Sequence, residues 1–268
     1  MPPLPPCRTI PCTGFWTKLK NEVPTMLLDR YQARVAELFA QVRETQRENI
    51  IKAGTMIADA IEKGGNIYLS GICHSIENDL IYRGGGPIFY KHFSYNLNVE
   101  KNGRVRDRSD LDTNMEGLAA YALKASDMRP GDVLIVGSVS GRTASVVDLA
   151  FEAKKMGITV IAMSSMTYAK AVDPVHSSGK KLYEMVDLTL DNCAPAAEAM
   201  MEVEGIEAHF AAASGIASDY ILWSVTSVVV EELQKKGMTP GILKSANFPG
   251  GNDYNKKVIE PHYAEFGW

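Results

Sequence analysis

The feature that most narrows what this chain can fold into is Val133-Leu134-Ile135-Val136, four consecutive apolar residues between the turn Pro130-Gly131-Asp132 and Gly137. A short run without polar alternation suits a strand covered on both faces, as in the parallel sheet of an α/β protein. Two further runs repeat the arrangement. Ile67 to Leu69 follows Gly64-Gly65 and ends in a Gly/Ser turn, and Ile158 to Met163 follows Gly157. Val186 to Leu190 alternates instead, and is expected nearer a sheet edge.

Between these runs the apolar residues switch to helical spacing. Tyr31, Val35, Leu38, Phe39 and Val42 make one stripe, and Ile50, Met56, Ile57, Ala60 and Ile61 a second that Gly64-Gly65 stops. Helical patterns also run from Gly71 through Ile76, Leu80 and Ile81 to Gly84-Gly85-Gly86-Pro87, and over 114–126. Another passes through Val146, Val147, Leu149 and Ala150 to Gly157, and a long one covers about 217–235. Segment 94–99 reads as an additional strand. The β-α alternation predicts an α/β fold, a three-layer α-β-α sandwich with a mainly parallel sheet.

Residues 27–268 show no repeat and no linker, and read as a single domain. Residues 1–26 differ: Pro2, Pro3, Pro5, Pro6, Pro11 and Pro24 are nearly half of the chain's 13 prolines. Proline lacks a backbone donor and fixes φ, so this segment is neither helix nor central strand, and it has no continuous apolar signal region. A docking strap and an upstream extension of the domain are alternative readings; a poorly ordered N-terminal extension is the expectation.

A net charge of −4 over 268 residues argues against a nucleic-acid partner, and no apolar run approaches a membrane span. Four cysteines make no disulfide framework, so a reducing, cytoplasmic setting is expected. His74, His92, His176, His209 and His262 show no paired spacing with acidic residues, so neither a metal nor another cofactor is expected.

The chemistry concentrates in two strand–loop–helix turns, Ser70-Gly71-Ile72-Cys73-His74-Ser75 and Gly137-Ser138-Val139-Ser140-Gly141-Arg142-Thr143. In an open parallel sheet, ligands bind beyond the carboxyl ends of the strands. There glycine lets the backbone approach closely, and hydroxyls with free first-turn N–H groups donate to an oxyanion. Neither turn is a Walker A loop or a dinucleotide fingerprint. Simple helix capping by Ser and Thr is the competing explanation. Cys73 is expected to be a small buried filler.

These two loops, in this order, resemble those of the sugar isomerase (SIS) domain. The likeness extends over roughly residues 28 to 268, and His176-Ser-Ser-Gly-Lys-Lys-Leu-Tyr-Glu and the 245–255 tail point to a bacterial single-domain branch. The resemblance implies a flavodoxin-like fold and a phosphosugar ligand. Its anion would be held by Ser75, Ser138, Ser140 and Thr143 with the Gly141 backbone, and Arg142 is added as a cation beside them. It also implies a homodimer or homotetramer with sites near the interface. A sulfonate would satisfy the same donors as a phosphate.

Glu116-Gly117 is similar to the catalytic motif of N-acetylmuramic acid 6-phosphate etherases, which makes Glu116 the first candidate base. His176 is the second, because imidazole titrates near neutrality. His74 and Glu77, beside and just after Ser75, complete the set. Phosphoheptose isomerases and the etherases carry a catalytic glutamate ten residues after the first-loop serine; that count lands here on Gly85. Aldose–ketose isomerisation of an anionic sugar is the leading expectation. A phosphosugar lyase and a non-catalytic phosphosugar sensor are the alternatives.

Overall fold

The computed structural model describes residues 26–100, 103, 104, 107, 109 and 114–268, so the expectation for the proline-rich segment lies outside the described residues except at Met26. A five-stranded sheet comprises β1 (Ile67–Ser70), β2 (Tyr90–His92), β3 (Val133–Gly137), β4 (Thr159–Ser164) and β5 (Leu188–Asp191). Every pairing is parallel, in the order β2-β1-β3-β4-β5. The apolar run at 133–136 is the centre of this sheet, buried at every position. The alternating segment near 188 is its edge strand, as its pattern implied.

Alternate strand residues enter two separate cores. Ile67, Leu69, Val133, Ile135, Ile161 and Met163 face helices α1 (Leu27–Glu62) and α5 (Ser214–Lys235). Tyr68, Leu134, Val136, Val160 and Ala162 face α2 (Leu118–Lys124) and α3 (Ala144–Lys155). Period-two burial with helices on each face is the three-layer sandwich. The layer of α1 and α5 is tight because Gly54 carries no side chain: a Cβ there would lie 2.5 Å from Val228 Cβ.

Several elements differ from the sequence expectation, each for a local reason. The two apolar stripes before Gly64 belong to one continuous helix of 36 residues, α1. The helix expected after Gly71 is a single 3-10 turn, Ile76–Asp79. Left-handed residues bound it, Cys73, His74 and Ser75 before and Tyr82 after, and Gly84-Gly85-Gly86 follow. Segment 94–99 is not a strand; β2 lies earlier, at Tyr90–His92, where its register with Ile67–Leu69 fits. The consecutive residues Phe93 to Leu97 instead line a cavity beyond the sheet. The helix expected over 114–126 is shorter, because Gly117 at φ 87° starts it.

The remaining elements carried no sequence expectation. They are α4 (Met166–Ala171), the exposed hairpin of β6 (Ala199–Val203) and β7 (Ile206–Ala212), and the C-terminal helices α6 (Gly251–Tyr254) and α7 (Glu260–Phe266) joined by a π-turn.

The strand order positions a site. From β1 the chain crosses to β2 on one side, while from β3 it crosses to β4 on the other. The loops leaving β1 and β3 therefore diverge and leave a crevice at their carboxyl ends, the topological switch point. Gly137 allows the two loops to touch, since a Cβ there would sit 2.5 Å from Ile72 Cα and 3.0 Å from the Gly71 carbonyl oxygen. Gly137→Ala is therefore expected to destabilise the fold by about 1–3 kcal/mol. An unchanged midpoint in urea denaturation would contradict this packing.

Candidate functional site

The first loop is built in an unusual conformation. Cys73, His74 and Ser75 have φ of 39°, 60° and 68°, in the left-handed region that costs non-glycine residues on the order of 1–2 kcal/mol each. Glu77 holds this loop. Its side chain is 1% exposed, with Oε1 accepting the Gly71 N–H at 3.1 Å and Oε2 the Ile72 N–H at 3.0 Å. Such charge-assisted bonds contribute about 1.5–3 kcal/mol each, enough to offset the backbone strain. The left-handed turn leaves Ser75 exposed at the start of the 3-10 turn, its hydroxyl making no capping bond.

The second loop closes on itself and leaves donors over. Gly141 N–H donates to the Ser138 carbonyl at 3.0 Å, and Ser138 N–H to the Met163 carbonyl at 3.1 Å. Leu182 N–H and the Ser164 hydroxyl hold the loop from outside, through the Gly141 and Ser138 carbonyls. The Gly141 N–H is thus engaged within the loop. By contrast, the N–H groups of Ser140, Arg142 and Thr143 donate to no other described residue. Thr143 is the N-cap of α3 and makes no capping bond, and its hydroxyl lies 3.4 Å from that of Ser138. Arg142 forms no ion pair among the described residues. The outcome is a set of hydroxyls and free N–H groups at the positive end of α3, an arrangement suited to an anion.

A cavity of about 320 Å³ adjoins both loops. Ser70, Gly71, Ser75 and Glu77 line it from the first loop, and Gly137 and Ser145, which bracket the second, line it from β3 and α3. His92 completes this wall with Nε2 at 3.7 Å from Glu77 Oε1.

Glu116 and His176, far apart in sequence, are brought together. Glu116 Oε2 lies 3.6 Å from His176 Nε2, and Glu116 accepts hydrogen bonds from Ser177, through its N–H at 2.9 Å and its hydroxyl. The Ser177 hydroxyl, then its N–H, then the His176 charge hold the Glu116 carboxyl below the ordinary glutamate value. Met115 and Leu118, flanking Glu116, line the cavity. The His176 side chain is 5% exposed. Its Nδ1 accepts from the Ser178 N–H at 3.1 Å and pairs with the Ser178 hydroxyl at 2.8 Å, while Nε2 has no hydrogen-bond partner.

The other candidates stand apart from this pair. His74 points into a different cleft, toward Tyr220 and Trp223 of α5. Gly85 is occupied structurally, its N–H donating to the Leu243 carbonyl at 2.7 Å. Cys73 is buried, its Sγ 3.1 Å from the Ser218 hydroxyl, and burial pushes its thiol pKa up. Sequence reasoning missed Asp148. This residue is buried on α3, accepts the Gly117 N–H at 2.9 Å through Oδ2, and places Oδ1 3.8 Å from His176 Nε2. The available signal was an acidic residue inside the inward stripe Val147-Asp148-Leu149.

Comparison with known proteins bears on the family of the chain. Residues 30–165 match the family model described as SIS domain. A UPF0309 protein of Shouchella clausii is 34% identical over 242 residues, covering 88% of this chain and 96% of the relative. Another, of Oceanobacillus iheyensis, is 33% identical with the same coverage. Among solved structures, phosphoheptose isomerase from Neisseria gonorrhoeae matches with a TM-score of 0.49 at 16% identity, over 77% of this chain and 97% of that one. The NanR protein of Vibrio vulnificus, complexed with ManNAc-6P, matches with a TM-score of 0.47 at 16% identity, over 90% and 70%.

The bonds to Glu116 predict a pH effect of definite sign. A carboxyl lowered in the folded state adds stability that is complete above its unfolded pKa and is lost as pH falls through its folded pKa. Ser177→Ala removes the largest cause, so the Glu116 midpoint should rise toward the ordinary glutamate value in a carboxyl ¹³C NMR titration. An unmoved midpoint would show that Ser177 does not tune it.

Proposed function

This chain belongs to the SIS-domain family and its UPF0309 group, and from that premise we propose that it binds a phosphorylated monosaccharide and interconverts its aldose and ketose forms. The observation that carries this reading is the pair of loops at the β1/β3 switch point, with free hydroxyl and N–H donors beside a cavity.

In this reading the Ser75, Ser138, Ser140 and Thr143 hydroxyls and the free N–H groups of the second loop hold the phosphate, and Arg142 adds charge at its rim. The Gly141 N–H serves the turn rather than the anion. The sugar extends along the cavity toward Glu116 and His176. Glu116, an exposed-edge carboxylate held ionised by Ser177, takes the proton from C2 and returns it to C1, through an enediol. His176 passes the hydroxyl proton between O1 and O2. Each positioned acid or base contributes about 10² to 10⁴ in rate. Glu77 keeps the first loop in its left-handed form. A homodimer or homotetramer completes the assembly in this reading.

Incubation with a panel of sugar phosphates in D₂O tests the reaction, with deuterium at C1 or C2 expected for at least one of them. Absence of exchange for a sugar phosphate that binds would overturn the isomerase reading and leave a binding protein. Glu116→Gln is expected to lower exchange by on the order of 10²-fold or more while binding persists. In the anion loop, Ser140→Ala combined with Thr143→Ala should weaken binding at least tenfold with the fold intact. Unchanged affinity in that variant would mean that the loop only caps α3.

A further inference from the structure

We infer that Asp148 is a positioning residue for the Glu116–His176 pair: from α3 it anchors the turn that carries Glu116, and its charge reinforces the His176 tautomer that Ser178 sets, with the proton on Nε2. The inference deepens the proposed function and rests on it for the catalytic meaning of that pair.

The geometry ties three segments together where the buried Asp148 and His176 side chains meet the partly exposed Glu116. Asp148 Oδ2 accepts the N–H of Gly117, the residue after Glu116, at 2.9 Å. That bond anchors the 116–117 turn to the helix that begins at the second loop. Glu116 in turn accepts the Ser177 N–H at 2.9 Å, which anchors the histidine loop to the same turn. The second oxygen of Asp148 lies 3.8 Å from His176 Nε2. Ser145, one turn before Asp148 on the same face of α3, lines the cavity, as does the adjacent Leu149.

The histidine tautomer follows from its partners. Nδ1 accepts the Ser178 N–H at 3.1 Å, so in the neutral ring the proton resides on Nε2. That Nε2–H has no hydrogen-bond partner, yet it lies in a side chain only 5% exposed and faces two carboxylates, Glu116 at 3.6 Å and Asp148 at 3.8 Å. At these separations a single oxygen can lie within hydrogen-bond reach of the imidazole and either carboxylate at once. The ligand class that fits is a hydroxyl, which accepts from Nε2–H and donates to a carboxylate, as a carbinol group of a sugar does. Asp148 faces the same nitrogen as Glu116, so its charge favours a proton on Nε2 through space rather than through a direct hydrogen bond.

A role confined to structure would make Asp148 a cap for α2 and nothing more. The energetics separate the two. A buried carboxylate with one direct hydrogen bond retains much of its desolvation cost, whereas an asparagine of the same shape would accept the Gly117 N–H without that cost. Asp148→Asn therefore keeps the cap and removes only the charge facing His176.

The test uses the full chain labelled with ¹⁵N and long-range imidazole correlation spectra, with His176→Gln identifying the signal. In the unsubstituted protein His176 should show the Nε2–H tautomer, its two ring nitrogens widely split. In Asp148→Asn the splitting should narrow, and Asp148→Glu should restore part of it. A ring protonated on Nδ1 in the unsubstituted protein overturns the inference without any variant, and so does an Asp148→Asn spectrum identical to the parent. With a sugar phosphate that exchanges deuterium, Asp148→Asn should lower kcat by on the order of 10²-fold with KM within about twofold. Should no sugar phosphate exchange, the isomerase reading fails while the spectra still decide the role of Asp148.

Discussion

The contact on which the site depends is the backbone-to-backbone approach at Gly137. A side chain there would occupy the position of Ile72 Cα, 2.5 Å from where its Cβ would stand, so β1 and β3 could not deliver their loops to one point. Parallel pairing of Ser70 with Val136 sets the register, and the missing Cβ converts that register into contact between loops. The topology makes the crevice, because chain direction diverges between these strands. The first turn and the start of the second are thereby in contact at Gly137, a closeness that depends on strand order and on one absent methyl group.

Buried carboxylates organise much of what surrounds that contact. Glu77 holds the first loop by two backbone N–H groups. Asp132 does the same for the turn before β3, accepting from Asn66 at 2.8 Å and Arg129 at 2.9 Å. Asp191 at the end of β5 accepts from Met166 at 3.0 Å and Cys193 at 2.9 Å, and Asp148 accepts from Gly117. Irregular backbone leaves donors that no ladder satisfies, and an ionised acceptor satisfies them more strongly than a neutral one. Part of the acidity of the chain is thus spent inside, on loops at the ends of the strands.

How far the sequence disclosed this depends on the physical signal each part carries. The sheet was legible because Val133–Val136 and Ile158–Met163 are buried on both faces, and such burial leaves continuous apolar runs. Segment 94–99 misled because Tyr95 and Leu97 alternate with polar residues in the sequence, whereas 93–97 all line one cavity, and alternation alone does not establish a strand. The hairpin of β6 and β7 left no mark, since nearly all of β7 is exposed and carries no one-sided pattern. In the site, the hydroxyl loops were visible as local motifs, whereas the meeting of Glu116 with His176 was not, being made by tertiary packing across 60 residues. The same packing hid Asp148, which reads locally as one polar residue in an apolar helix. Glu77, two residues beyond Ser75, reaches back to the Gly71 and Ile72 N–H groups from the 3-10 turn, a bond that no local sequence pattern announced.

Electrostatics gives the arrangement a direction. The donor-rich turn at α3 presents free N–H groups, while Glu116 and Asp148 lie together beside His176 and the Glu77 carboxylate is engaged by the first-loop backbone. In the proposed function, a phosphate is favoured at the donor-rich turn and disfavoured near Glu116 and Asp148, which turns the opposite end of the sugar toward Glu116 and His176. Screening limits the effect to about 8 Å at physiological salt, which is a distance comparable to a monosaccharide and shorter than the domain. Orientation within the cavity therefore comes from charges that a net value of −4 for the whole chain does not reveal. In the proposed function, Glu116, which repels a phosphate from the far end, is also the group that receives a proton there.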